Sequence, residues 1–398
     1  MTFITQSTSS LDAEPPVRAP ADAGPILHVG GTHTLAVIAR DLLLELRDQG
    51  WNIHVACAEE DWGRRLHEDG FSMHTIRLPH RPSLGQAVTG TRDLARLLRG
   101  GSFRLVHTHN AHNGVIGRSL ARLFGLPSVH TWRYSPLDAV SARPAKLGLG
   151  LAEALASRAG QAVLFQNEED MRFAIESHLV PARRAVLVGN GIRLGGWTER
   201  GLEAGVSPRA ELGIEPGAEL VGCVARLVER KGQPYLLEAV ARLVSTRSRL
   251  RLLLIGDGQK EDELRGQAER LGISDRVVFA GHRDDVPRLL RASDLLCLPS
   301  RREGVPRAVM EAMASGVPVV ATDVVGTREV VEHEVTGLLV PYAEPDPLAA
   351  AIERVLDDRE LRARVTARAR ATVERDWRAE SVAARVSGEY RRLVAPRR

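Results

Sequence analysis

The sequence is poor in lysine, cysteine and aromatic residues, and it has no long apolar run. Its 398 residues include three lysines, three cysteines and only 4% aromatic side chains. Because no stretch approaches the ~18 uncharged apolar residues that span a bilayer, we expect no membrane-spanning segment. Cys57, Cys223 and Cys297 each lie within an apolar run, without a CxxC pair or metal-ligand spacing. This pattern excludes a disulfide scaffold and a zinc module, and it favours a reducing, cytoplasmic location.

The two termini carry little functional signal. Residues 1–24 lack the basic start and apolar segment of a secretory signal, and their Thr, Ser, Pro and Ala content predicts a disordered tail. Residues 361–398 hold eleven arginines against four acids. A solvated helix face is the preferred interpretation of this excess, and contact with an anionic membrane at the inner face is the alternative.

The net charge of +4 does not indicate a nucleic-acid partner. Nearly all of the 54 basic residues are arginines, which a GC-rich genome favours, and they are interleaved with 50 acids. A nucleic-acid surface requires clustered cations instead. The oligomeric state leaves no signal in the sequence.

Short apolar runs alternate with amphipathic stretches, which is typical of βα units and parallel sheets. The pattern stops at a polar, Gly-rich passage and then begins again. We therefore predict an α/β protein with two Rossmann-like, doubly wound parallel-sheet domains that face each other across a cleft. The predicted organisation is a tail at 1–24, an N-terminal Rossmann-like domain at 25–195, a linker at 196–216, a second Rossmann-like domain at 217–376 and a C-terminal helix at 377–398.

The predicted strands and helices follow the same alternation. Strands are expected at 26–29, 53–57, 73–76, 105–107, 128–131, 163–165, 185–188, 220–225, 251–255, 277–280, 295–298 and 317–321. Helices are expected at 35–49, 114–124, 233–244, 260–271, 306–314 and 347–356. Residues 147–156 carry one charge in ten positions. This run predicts a core or cleft-wall helix, with contact to a lipid acceptor as the alternative.

Arg226 and Lys231 lie on a loop that follows a predicted strand and opens a helix. Two fixed cations beside a helix N-terminus form a natural diphosphate site, because arginine offers a fork and lysine a point charge. The alternative is two solvated surface cations.

Glu303 and Glu311 lie eight residues apart around Pro306, which we expect to be the first residue of a helix. On that basis Glu303 faces sugar hydroxyls ahead of the helix, and Glu311 faces ribose hydroxyls from within it. The pair alone is a weak signal, but its position between two apolar runs strengthens it.

These motifs together resemble the donor domain of glycosyltransferase family 4, the glycosyl transferases group 1. The matching segments lie between residues 221 and 341, and a weaker match covers 105–132. The resemblance implies the GT-B fold and a retaining hexosyltransferase that uses a nucleoside diphosphate sugar, with a UDP-sugar favoured and no other cofactor. The sequence has no Asp-x-Asp pair, whose carboxylates could hold a metal ion on the diphosphate. We therefore expect no metal, with cations of the chain and a helix dipole neutralising the diphosphate instead.

The resemblance also implies roles for individual residues. Arg226 and Lys231 would bind the diphosphate, Glu303 the donor sugar and Glu311 the ribose. Further contacts with the donor and with the N-terminal side of the cleft would come from Gly304, Val305, Arg307, His282, Arg283, Gly30, Gly31, His109 and Asn110.

The sequence departs from the family pattern at Arg133. Family members usually carry a histidine there, which touches the donor sugar. Arginine cannot act as a base near neutral pH, but it can donate to a hydroxyl or a phosphate. We therefore expect Arg133 to share the catalytic site with Glu303 by contacting the donor sugar; the alternative is that its loop is rebuilt for an unusual acceptor and Arg133 lines the mouth of that loop. His130 or His109 would cover part of the histidine's role. The alternative is that these two histidines are packed structural residues.

We therefore expect an enzyme that moves a sugar to a hydroxyl acceptor, which could be a glycan, a lipid-linked sugar or a secondary metabolite. A nucleotide-sugar epimerase or hydrolase on the same fold is the first rival hypothesis. A catalytically silent donor-binding partner protein is the second, and a nicotinamide oxidoreductase is a distant third.

Overall fold

The computed structural model describes residues 18–20, 22–59, 62–78, 83–135, 137, 142–197 and 207–395. The chain forms two compact units. The first comprises residues 1–165, 173–191 and 376–398, and the second comprises residues 166–172 and 192–375. Most of the predicted tail and much of the predicted linker lie outside the described residues.

The first unit is built on a seven-stranded parallel sheet in the order β3-β2-β1-β4-β5-β6-β7. Its strands are β1 (Pro25–Val29), β2 (Asn52–Cys57), β3 (Ser72–Thr75), β4 (Leu105–His109), β5 (Ser128–Trp132), β6 (Ala162–Phe165) and β7 (Ala185–Leu187). Its helices are α1 (Arg40–Asp48), α2 (Gly63–Glu68), α3 (Leu84–Gly100), α4 (Ala111–Leu123) and α5 (Arg143–Ala159). Helix α6 (Glu168–Glu176) begins in the second unit and ends in the first.

The second unit has a six-stranded parallel sheet in the order β10-β9-β8-β11-β12-β13. Its strands are β8 (Glu219–Val224), β9 (Leu250–Ile255), β10 (Val277–Phe279), β11 (Leu295–Leu298), β12 (Val319–Thr322) and β13 (Leu338–Val340). Its helices are α7 (Pro208–Glu211), α8 (Gln233–Leu243), α9 (Glu261–Arg270), α10 (Val286–Ala292), α11 (Arg307–Ala314), α12 (Thr327–Val330), α13 (Pro345–Asp357) and α14 (Arg359–Asp376). The two parallel α/β sheets confirm the predicted fold class.

The last helix, α15 (Ala379–Val394), belongs to the first unit rather than to the second unit that precedes it. Its apolar face packs on α1, and Tyr390 is fully buried. The indole Nε1 of Trp51 donates to the hydroxyl of Ser387 at 2.8 Å. The end of the chain therefore completes the core of the first unit.

Two helices begin later than the sequence pattern predicts. Residues 34–38 form a π-helical turn, in which the amide of Ala39 donates to the carbonyl of Thr34 at 2.8 Å, and α1 begins only at Arg40. The side-chain Nδ2 of Asn110 donates to the Thr34 hydroxyl at 2.8 Å, which ties the turn to the start of α4. Pro306 is the N-cap of α11, in an extended conformation, and not its first helical residue as predicted.

Helix α5 exposes a stripe of leucines, so the prediction of a core helix is wrong for this face. Leu147, Leu151 and Leu155 follow one another at every fourth position and are 77%, 60% and 61% exposed. The opposite face holds Glu153, which receives a hydrogen bond from Arg118 of α4 at 2.8 Å in a fully buried ion pair. The polar contact therefore lies inside and the apolar stripe outside. None of the helices in the described part of the chain is long and apolar enough to cross a membrane.

Candidate functional site

The donor-side residues gather where the strand order of the second unit reverses. Strands β8 and β11 are neighbours although two strands separate them in sequence, so the loops after both leave the same edge of the sheet. The amide of Arg301 donates to the carbonyl of Arg230 at 2.8 Å, which joins the two loops directly. Ligands of open α/β sheets bind at such a reversal, outside the carboxyl ends of the strands.

Lys231 and Glu303 form an ion pair between these loops. The Lys231 ammonium donates to Glu303 Oε1 at 2.5 Å, and the two side chains are only 14% and 8% exposed. Burial alone would raise the pKa of Glu303, but Lys231, Arg230 and the hydrogen bonds from Lys231 and Ser300 outweigh it and lower that pKa. Glu303 is therefore a charged, acceptor-only carboxylate.

Glu311 lies in the second turn of α11 and is also mostly buried. The guanidinium of Arg307, one turn earlier, donates to Glu311 Oε1 at 3.1 Å. The helix thus carries a carboxylate that is oriented by a neighbouring cation, with one oxygen committed to that contact. An oriented carboxylate of this kind can accept hydrogen bonds from a diol.

Two glycines allow the loops to pack closely at this edge. Gly232 follows Lys231 with φ +68°, and a Cβ there would lie 1.9 Å from the carbonyl oxygen of Pro299. Gly326 has φ +83°, and its Cβ would lie 2.1 Å from the carbonyl oxygen of Gly304. Only glycine fits either position without moving the backbone.

The remaining donor-side predictions are distributed over the same edge. Arg226 is exposed at the end of β8, and its carbonyl accepts from the Gln233 side chain at 2.9 Å. Arg283 is held by Asp285 in a two-point ion pair at 2.7 Å, which raises the pKa of Arg283. His282 is exposed, with Asp284 at 3.6 Å. Gly304 and Val305 lie on the loop between Glu303 and α11.

Sequence reasoning missed Asn167 and Asp170, which support the Glu303 loop. The side-chain amide of Asn167 donates to the carbonyl of Gly304 at 2.9 Å, and Arg302 pairs with Asp170. Both residues are buried, and Asn167 also donates to Asp170 at 2.8 Å. The sequence signal was the polar run 166–170 directly after the apolar strand β6.

The acceptor-side predictions meet at the corresponding edge of the first unit. There β1 and β4 are neighbours, and the Asn110 side chain accepts a hydrogen bond from the amide of Gly31 at 2.8 Å. Asn110 adopts a positive φ of 70°. A Cβ on Gly30 would lie 3.2 Å from the Cβ of His109, so the close approach of β1 and β4 favours glycine there.

Arg133 is buried at the end of β5 and approaches His109, with 3.3 Å between Nη2 and Nδ1. His130 is buried too, and its Nδ1 lies 2.9 Å from the Thr108 hydroxyl. Burial, followed by nearby positive charge, holds the pKa of His130 well below its usual value. A pocket in this unit is lined by Asn110, Ala111, His130, Thr131, Trp132, Arg133, Tyr134 and Glu153.

A cluster of three histidines was not predicted as a site. His28, His107 and His109 bring one ring nitrogen each within 4.8 Å of the others, and all three are buried. The signal was present in the alternating His-Thr-His of β4.

The Lys231–Glu303 pair predicts a pH-dependent stability. Because Lys231 lowers the pKa of Glu303, the pair contributes fully above the unfolded pKa near 4.5 and is lost as the pH falls through the lower folded pKa. Lys231→Ala is expected to cost about 2 kcal/mol of unfolding free energy at pH 7 and less near pH 4, as measured by urea denaturation.

Lys260→Ala is the matched control for this measurement. Lys260 pairs with Glu263 at 2.5 Å on an exposed surface, where solvent screens the pair, so its loss is expected to cost much less stability than the loss of Lys231. Equal losses for the two variants at pH 7 would contradict the importance of the Lys231–Glu303 pair.

Comparison with known proteins extends the match over both units. The family model described as "Glycosyl transferases group 1" matches residues 208–372, and "Glycosyl transferase 4-like domain" matches residues 34–191. A galactosyltransferase of Escherichia coli that acts on GlcNAc-diphosphoundecaprenol is 28% identical over 67% of this chain and 70% of its own. An uncharacterised glycosyltransferase of Methanocaldococcus jannaschii is 24% identical over 91% of this chain and 94% of its own.

Solved structures give the same result. Anabaena HepE in complex with UDP and glucose superposes with a TM-score of 0.79 at 25% identity, over 92% of this chain and 98% of its own. WaaG, a glycosyltransferase involved in lipopolysaccharide biosynthesis, shares the fold with a TM-score of 0.72 at 18% identity. The match covers 92% of this chain and 99% of the WaaG chain. The chain therefore belongs to the group 1, family-4-like glycosyltransferases of GT-B fold, and it is a hexosyltransferase that transfers a sugar from a nucleotide sugar.

Proposed function

We propose that the protein is a retaining glycosyltransferase that moves a hexose from a UDP-sugar to a hydroxyl acceptor without a metal ion. The observation that carries this proposal is the Lys231–Glu303 ion pair at the strand reversal. It places an ammonium and a charged carboxylate at one point, where a nucleoside diphosphate sugar presents a phosphate and a sugar hydroxyl. The preference for UDP rests on HepE, which was solved with UDP and with UDP-glucose.

The leaving diphosphate is stabilised by cations of the chain. Arg226 and Lys231 lie on the loop after β8, and the first turn of α11 adds the positive end of a helix dipole. These groups are preorganised where negative charge develops as the glycosidic bond breaks. The same charge balance supports the proposal that the reaction uses no divalent metal.

The proposed retention needs a route that uses no covalent nucleophile on the donor side. Glu303 is engaged by Lys231 and Glu311 by Arg307, so neither carboxylate is assigned as a covalent nucleophile. We assign attack by the acceptor hydroxyl to the face of the donor sugar from which the diphosphate leaves. The leaving phosphate oxygen accepts the proton of that hydroxyl. The C1–O bond to phosphate breaks, and the new C1–O bond forms with the same anomeric configuration.

The acceptor site is assigned to the pocket of the first unit that Arg133 and His130 line. Arg133 donates to a hydroxyl of the donor sugar and is one of the catalytic residues. His130 remains neutral because its pKa is depressed, so it serves as a hydrogen-bonding group rather than a cation. The acceptor is a hydroxyl of a glycan, a lipid-linked sugar or a secondary metabolite.

The leucine stripe of α5 supports the lipid-linked class and a location at the inner face of the membrane. Its helix carries the exposed cations Arg143, Lys146 and Arg158 around Leu147, Leu151 and Leu155. An apolar face with a basic rim is the arrangement that binds an anionic bilayer surface. A second copy of the chain fits less well, since its own basic rim would face this one. The absence of disulfides among the three cysteines agrees with a cytoplasmic location.

The reaction type is tested by following product formation by NMR with a panel of UDP-, GDP-, ADP- and dTDP-sugars, which thermal shift first ranks for binding. We expect an α-configured product from an α-configured donor, and full activity after treatment with EDTA. A β-configured product would overturn retention, and loss of activity restored by a divalent metal would overturn metal independence. Epimer or free sugar as the sole product would support the rival epimerase or hydrolase.

The two carboxylates are expected to differ in what they bind. Glu311→Gln removes the ribose contact and should weaken UDP and the UDP-sugar alike, by about tenfold. Glu303→Gln should leave UDP binding nearly unchanged and lower transfer, because its contact is with the sugar. Calorimetry with both ligands and initial rates measure this, and equal losses of UDP affinity in the two variants would contradict the assignment.

Membrane binding is tested on the exposed stripe. Leu151→Glu is expected to lower the fraction bound to vesicles containing anionic phosphatidylglycerol by about tenfold, because it places a charge in the apolar contact. Val88→Glu, at a half-exposed apolar position on α3, is the control and should bind as the wild type does. Unchanged binding by Leu151→Glu, or a dimer that this variant alone abolishes, would overturn the membrane assignment.

A further inference from the structure

A continuous chain of side-chain hydrogen bonds crosses the first unit from Arg133. Arg133 Nη2 lies 3.3 Å from His109 Nδ1, and His109 Nε2 lies 3.1 Å from His28 Nδ1. His28 Nε2 lies 3.1 Å from the hydroxyl of Tyr390, which contacts His107 Nδ1. His107 Nε2 then lies 2.7 Å from the hydroxyl of Thr131. This hydrogen-bond chain links β1, β4 and β5 to α15.

Arg133 fixes the direction of the hydrogen bonds through His109 and His28 as far as Tyr390. A guanidinium can only donate, so His109 Nδ1 must accept and the His109 proton must sit on Nε2. His28 then accepts at Nδ1 and donates from Nε2 to the Tyr390 oxygen. Tyr390 in turn donates to His107. The opposite direction would set an N–H of His109 against an N–H of Arg133.

The hydrogen-bond chain requires neutral imidazoles, and the buried surroundings of the three rings keep them neutral. All three histidines are buried. Burial, followed by the charge of Arg133, lowers the pKa of His28 to about 3. Burial is also the largest cause that holds the pKa values of His107 and His109 well below the usual value. Each ring therefore has one donor and one acceptor, as the chain needs.

A metal ion is the other occupant that three close histidines suggest. Each ring nitrogen of the three already has a protein partner, so a metal would have to displace hydrogen bonds. It would also place a second cation beside Arg133. The donor set is therefore better satisfied by hydrogen bonds than by a metal.

We propose that His109, His28 and Tyr390 are positioning residues for Arg133, holding its guanidinium in one orientation at the pocket through a one-way hydrogen-bond chain. An arginine side chain loses considerable rotamer freedom when it is fixed, and a preformed acceptor lowers that loss during the reaction. The proposal rests on the function proposed above, in which Arg133 contacts the donor sugar. It makes the C-terminal helix part of the site.

The tautomers of the histidine rings in the wild-type protein test the one-way hydrogen-bond chain directly. Long-range ¹H–¹⁵N correlation spectra of histidine-labelled protein should show rings 28, 107 and 109 all protonated on Nε2 and neutral at pH 7. In Arg133→Ala the direction is no longer imposed, and a second tautomer should appear for rings 28 and 109. A wild-type ring protonated on Nδ1, or stoichiometric zinc in the purified protein, would overturn the proposal.

The effect on the reaction is tested with Tyr390→Phe, which keeps the buried ring and removes the hydroxyl. The expected result is a fall in kcat of about fivefold, in transfer and in slow donor hydrolysis alike, with the KM for the donor unchanged. The control is His74→Gln, which breaks the hydrogen-bonded His54–His74 pair outside the chain and should leave kcat unchanged. Unchanged kcat in folded Tyr390→Phe would overturn the positioning role.

Failure of this proposal is distinguishable from failure of the proposed function. If Arg133→Ala loses both transfer and hydrolysis while Tyr390→Phe loses neither, the sugar contact stands and the positioning role is overturned. If Arg133→Ala retains both rates, the sugar contact is overturned and the positioning role with it, whatever the tautomers. If Tyr390→Phe does not fold, the wild-type tautomers and the zinc content still decide whether the one-way chain exists.

Discussion

The reversal of strand order beside β1 and β8 is the constraint on which both sites depend. A parallel sheet that grows in one direction and then returns to its first strand leaves two neighbouring loops with no helix crossing between them. In the second unit these loops carry Lys231 and Glu303, 72 residues apart in sequence. In the first unit they carry Gly31 and Asn110, 79 residues apart. The chemistry is assembled from residues that only the topology brings together.

The apolar alternation of the sequence predicted most of the sheet, because buried parallel strands are short runs of Val, Ile and Leu. Strand β11 (Leu295–Leu298) was placed to the residue, and most of the others within one or two. The pattern missed β13, a three-residue edge strand with too few side chains to show a period. It also misjudged α5, because a leucine run does not tell which of its faces the rest of the protein covers.

The donor-side residues were predictable as two local pairs. Motifs gave Arg226 with Lys231 and Glu303 with Glu311, but the sequence around each pair does not show which side chains of the two pairs contact each other. The structure adds that Lys231 neutralises Glu303 and that Arg307 orients Glu311. A cation predicted to meet phosphate is therefore also the group that keeps a buried carboxylate charged.

The arginine at position 133, where the family resemblance implies a histidine, affects more than one contact. A histidine at this position could either donate to or accept from His109, so the hydrogen bonds between the imidazoles could point in either direction. Arginine removes that freedom, and the consequence passes through His109 and His28 to Tyr390, 362 residues from His28 in sequence. No local pattern around Tyr390 indicates this role, since a buried tyrosine on an amphipathic helix is ordinarily a core residue. Its hydroxyl matters because it lies between the rings of His28 and His107, and Arg133 determines which nitrogen of His28 carries the proton.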